Sequence, residues 1–131
     1  MHRKLLVIGA IFGALSVGLG AFAAHALRNL VSDIALGTFE TGVRYQFYHT
    51  IAIFIAAFAY REYRVSLVSI AGWLFVIGIL LFSGSLYMLA FIQASVKPGY
   101  NWIGAVTPVG GLLFIIGWLM LAFAFMRNKR G

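Results

Sequence analysis

LVSIAGWLFVIGILLFSGSLYMLAFI, residues 67–92, runs for 26 residues without a charged side chain. About 20 consecutive apolar residues cross the hydrocarbon core of a bilayer as an α-helix. No water at that depth satisfies backbone N–H and C=O groups, so a lone segment of this kind must be helical. The stretch therefore predicts a transmembrane helix.

Three further stretches follow on either side. Residues 102–126 are 25 more without a charge. Residues 5–27 carry one ionisable group, His25, and residues 43–60, only 18 long, carry Arg44 and His49. The expected fold is an all-α membrane protein, a four-transmembrane-helix bundle forming one domain over residues 1–131. The segment before the second span, residues 29–44, alternates Leu30, Val31, Ile34, Leu36 and Phe39 with polar residues. It reads as a short amphipathic helix at the outer interface, capped by Ser32 and running on into the span. Glu40 precedes Arg44 by four residues, the favourable order for a helical ion pair.

Composition supports lipid as the solvent. Apolar residues make up 63% of the chain and charged residues 10%, against roughly 25% charged in soluble domains. With no cysteine, disulfides, thiolate metal sites and cysteine nucleophiles are excluded. The net charge of +7 does not indicate nucleic acid, because the basic residues cluster at the ends of apolar runs. Arg3, Lys4, Arg61, Arg64, Arg127, Lys129 and Arg130 fall on one side of a four-span topology, and Arg28, Arg44 and Lys97 on the other. Seven against three predicts a multi-pass membrane protein with both termini cytoplasmic. Arg3 and Lys4, an apolar run and Ala21-Phe22-Ala23 also resemble a signal peptide. The run exceeds the usual h-region of about 7–15 residues, however, and Gly9 and Gly13 form a G-x-x-x-G of the kind that packs helices. Lys97-Pro98-Gly99 is a turn signal, and Pro108 is expected to kink the last helix or mark its start.

GAFAAHAL at residues 20–27, TGVRYQFYH at 41–49, FSGSLY at 82–87 and IGAVTPVGG at 103–111 together make the chain similar to a family of small membrane proteins, domain of unknown function 423. One departure is Ala23, where the family's string has glycine. The resemblance covers nearly the whole chain and implies a four-span inner-membrane protein. It implies no activity.

Ionisable groups inside a membrane are costly and mark candidate sites. If the chain reverses between the first two spans, His25 and His49 lie at similar depth, with Glu40, Arg44, Tyr45 and Gln46 near them. This outer cluster is the candidate ligand-binding site. It suits a lipid headgroup or a quinone, or haem or a metal held by two imidazoles; the bland alternative is that these side chains satisfy backbone carbonyls. Helical phase splits them, with 40, 44, 47 and 48 on one face and 41, 45, 49 and 52 on another. Gly9, Gly13, Ser83, Ser85, Thr107 and Pro108 are read as helix-packing positions.

The chain's three carboxylates are Asp33, Glu40 and Glu62, with no paired acids, nucleophile elbow or phosphate-binding loop in view. No catalytic residue, resident cofactor or metal site is expected. The expected role is a non-enzymatic accessory protein whose partners are the lipid bilayer and a second copy or another membrane protein. The rivals are a transporter or channel formed by oligomerisation, with Ser83 and Ser85 along its path, and a redox-linked protein using His25 and His49.

Overall fold

The computed structural model describes residues 1–63, 65–95 and 101–127. Among these the chain is helical, with no strand: α1 is Arg3–His25, α2 is Asp33–Tyr63, α3 is Ser66–Ser95 and α4 is Asn101–Met126. A 3-10 turn, Leu27–Asn29, follows α1. Among the described residues, three helical stretches are long and apolar enough to cross a membrane: Arg3–Asn29, Ser66–Ala94 and Trp102–Met126.

Each boundary has a local cause. His2 accepts from the amide of Leu5 through Nδ1, at 3.5 Å, and starts α1. Ser32 Oγ accepts from the amide of Ala35 at 3.2 Å, so the N-cap read from the sequence forms just before Asp33. From there α2 continues unbroken for 31 residues, about 46 Å at roughly 1.5 Å per residue. The short interfacial helix expected over residues 29–44 is thus not a separate element, and most of it is the opening turns of α2. Pro108 lies within α4, seven residues after its first, so it does not mark the start. The Lys97-Pro98-Gly99 turn lies outside the described residues, as do Arg64, Lys129 and Arg130.

Consecutive helices pack antiparallel. Along α1 and α2, Gly9 lies against Ile53 and Phe54, Gly13 against Thr50, Gly20 against Val43, and Phe22 against Phe39. Along α3 and α4, large and small residues alternate across the seam. Phe75 packs on Gly117, Phe82 on Gly110 and Phe114 on Gly78. With no hydrophobic drive between helices in lipid, such close approach supplies the packing energy. The α4 side of this seam recurs at Thr107, Gly110, Phe114, Gly117, Leu121 and Ala124, the 3-4 spacing of interlocking helices.

The helices are arranged in chain order rather than as a closed ring. α2 packs on α1 and α3, α4 packs on α3 and touches α2, and α1 and α4 do not meet. The largest buried cluster joins Leu5, Ala52, Ile53, Ala56, Val68, Ala71, Phe75 and Phe114. A smaller one at the opposite end joins Ala23, Leu27, Phe39 and Ala90. His2, Tyr60 and Trp73 meet at the first end, where Tyr63 also meets Phe125. Both ends of the described chain are therefore on the same side of the molecule.

Candidate functional site

The structure distributes the candidate site residues over separate places. His25 is the exposed last residue of α1, and its backbone carbonyl accepts from Asn29 Nδ2 at 3.1 Å. His49 is buried near the middle of α2. The pairing of Gly13 with Thr50 sets His49 level with residue 13 of α1, on the order of 18 Å from His25 along the axes. The two histidines are not at one depth and cannot ligate one metal or haem together. The loop and opening turns of α2, residues 26–39, take up the chain reversal, and this displaces His49 inward.

Glu40 and Arg44 are both exposed. Arg44 Nη2 donates to Thr41 Oγ1 at 3.1 Å, and it makes no ion pair with Glu40. Thr41 is one turn back on the same helix, so the guanidinium finds a nearer acceptor. Arg44 also borders a shallow groove of about 260 Å³ with Ser16, Val17, Val43, Phe47 and Tyr48.

Gln46 belongs to the core. Its Nε2 donates to the Phe12 carbonyl at 3.0 Å, and its Oε1 accepts from the Tyr87 hydroxyl at 2.6 Å. One side chain therefore ties α2 to both α1 and α3. Ser16 Oγ donates to the same Phe12 carbonyl at 2.8 Å, and Thr50 Oγ1 donates to the Gln46 carbonyl at 2.7 Å. Ser83 Oγ donates to the Gly42 carbonyl at 2.6 Å, where a Cβ on residue 42 would meet the Tyr87 ring. Ser85 Oγ donates to the Phe82 carbonyl at 2.9 Å, which commits its proton; Thr107 Oγ1 therefore donates to Ser85 Oγ. Ser83 and Ser85 are buried between helices.

The remaining pair, Tyr45 and His49, opens on a cleft between α2 and α4. The cleft encloses about 470 Å³, with Phe82, Pro108, Phe114, Ile115 and Trp118 among its lining. His49 lies flat on Phe114, with ring centroids 3.5 Å apart and planes 6° apart. Its Nδ1 lies 2.8 Å from the Tyr45 carbonyl and its Nε2 lies 3.1 Å from Trp118 Nε1. A carbonyl only accepts and an indole N–H only donates, so Nδ1 carries the proton and the ring is the neutral tautomer. Tyr45 stacks over His49 at 6.1 Å and against Phe82 at 4.7 Å. Its hydroxyl has no partner among the described residues, and the residue is 38% exposed. Sequence reasoning missed Trp118 and Phe114, which stand in an unbroken apolar run with nothing to distinguish them.

Residues 19–111 match a family model described as a protein of unknown function (DUF423). The chain is 46% identical over 130 residues to a UPF0382 membrane protein of Haemophilus influenzae, covering 98% of each chain. It is 44% identical over 126 residues to a UPF0382 membrane protein of Bacillus subtilis, covering 95% of this chain and 98% of the relative. A UPF0382 membrane protein of Staphylococcus haemolyticus is 43% identical over 119 residues, covering 91% and 92%. No solved structure matches. With a family model over most of its length and near full-length relatives that are membrane proteins, the chain belongs to the DUF423 family of membrane proteins of unknown function.

Proposed function

We propose that this chain is a four-span, non-enzymatic protein of the cell membrane that binds a membrane-dissolved quinone in the cleft between α2 and α4. The observation that carries the reading is the Tyr45 hydroxyl. Among the described residues it has no partner, and Tyr45 lines a slot walled by His49, Phe82, Phe114 and Trp118. A flat conjugated ring with a carbonyl acceptor fits that chemistry, because aromatic walls favour stacking and a phenol donates to a carbonyl.

The fourth crossing is supported by packing. α2 runs antiparallel along α1 and beside α3, two helices of spanning length. Its inward polar groups, Gln46, His49 and Thr50, all have internal partners, as the absence of water requires. At about 46 Å it overhangs a hydrocarbon core of about 30 Å. The overhang suits residues 33–44, with exposed Glu40 and Arg44, lying at one interface. Both termini are assigned to the cytoplasm by the excess of Lys and Arg at that end. A binding role is favoured over catalysis because both His49 nitrogens are committed to structure, leaving no base beside Tyr45.

Indole emission is the readout. A short-chain quinone added to detergent-solubilised protein is expected to quench Trp118 fluorescence saturably in a variant retaining only that tryptophan. Tyr45→Phe should weaken the binding about tenfold, the loss of one hydrogen bond of roughly 1.4 kcal/mol. Non-saturable quenching that is equal in wild type and Tyr45→Phe would remove the cleft as the site.

A further inference from the structure

A second groove lies at the other edge of the molecule, between α1 and α3. Arg3, Lys4, Val7, Ile8 and Trp73 line a space of about 480 Å³. Its walls are hydrocarbon, to which the stems of Arg3 and Lys4 contribute, as long cationic side chains do beside apolar surface. α1 and α3 barely touch, so the space is a seam open to lipid. Two exposed cations on successive residues border it, and α1 has no acidic residue in its first turn to offset them. Neither cation forms an ion pair with a described carboxylate. The Tyr60, Trp73 and His2 rings gather at the same level, the aromatic signature of a headgroup region.

We propose that this groove is a binding site for an anionic phospholipid, with the phosphate held by Arg3 and Lys4 and an acyl chain lying along Val7, Ile8 and Trp73. The bordering charge selects the headgroup, and the apolar walls accept the chain. A zwitterionic lipid offers the same chain without the net charge, and a free phosphate the charge without the chain. Each basic residue near an anionic surface favours association several-fold, so two together separate anionic from zwitterionic lipid by more than tenfold. The site is independent of the quinone cleft, which lies between α2 and α4.

The test is native mass spectrometry of the full chain titrated with phosphatidylglycerol, phosphatidylcholine or inorganic phosphate. One saturable phosphatidylglycerol adduct is expected, retained at least about tenfold better than phosphatidylcholine. Arg3→Gln/Lys4→Gln should abolish that preference. Ile8→Trp, which fills the groove and keeps both charges, should displace the adduct. Arg61→Gln removes a charge at the same end of the molecule outside the groove and should change little. Equal retention of the two lipids, or equal loss in Arg61→Gln and Arg3→Gln/Lys4→Gln, would overturn the site in favour of diffuse surface charge. Binding of inorganic phosphate as tight as that of phosphatidylglycerol would overturn the role of the acyl chain.

Discussion

The indole of Trp118 donates to Nε2 of His49 at 3.1 Å, the polar bond that joins α4 to α2 among the described residues. The helices otherwise meet there through the stack of His49 on Phe114. Trp118→Phe keeps an aromatic ring and leaves Nε2 without a donor. We expect a loss of about 0.6–2 kcal/mol, the range for interhelical hydrogen bonds in membranes, read as a lower thermal midpoint in detergent. An unchanged midpoint would show that the bond contributes nothing.

Gly110 is set by contact with the backbone of α3. A Cβ at that position would lie 2.5 Å from the amide nitrogen of Phe82. Gly110→Ala must push α3 and α4 apart and is expected to cost about 1–3 kcal/mol. Gly104 is a control on the same helix, with nothing within 4 Å of a Cβ there. Gly104→Ala should be neutral or stabilise by up to about 1 kcal/mol. Equal effects at the two positions would contradict the packing described.

The Gln46–Tyr87 bond offers a test of the core. Tyr87→Phe leaves Gln46 Oε1 without its donor, and Gln46→Leu removes the links to both neighbouring helices. Each should destabilise by about 1–3 kcal/mol. The double variant should fall short of the sum by about 0.5–3 kcal/mol, because the two residues share one interaction. Strict additivity would mean that the bond is not formed.

Glu40→Ala is expected to cost less than about 1 kcal/mol. Glu40 is exposed and Arg44 bonds to Thr41 instead. A loss of several kcal/mol would restore the ion pair that the spacing of the two residues suggests.

The helices were legible because apolar length is a one-dimensional property, and three apolar runs coincide closely with α1, α3 and α4. The extent of α2 was not, because Thr38, Glu40, Thr41 and Arg44 interrupt its hydropathy. A periodic signal was nonetheless present. Ala35, Phe39, Gly42, Gln46, Thr50 and Ile53 recur at helical spacing, and all are buried in the structure. The candidate site was only partly legible. Tyr45 and His49 stood out as polar residues in an apolar segment. Their true neighbours, Phe114 and Trp118, depend on the register between α2 and α4, which no local pattern encodes. The expected meeting of His25 and His49 failed for the same reason, since it assumed a tight reversal where the chain uses a turn and several residues of α2.

Whether the Tyr45–His49–Trp118 cleft holds a quinone is decided by extracting the small apolar molecules that remain with gently purified protein and identifying them by mass. A quinone should be retained by the wild-type chain and depleted about tenfold in Tyr45→Phe, while phospholipid content stays the same. Recovery of phospholipid alone, or of equal quinone from both proteins, would contradict quinone binding in the cleft.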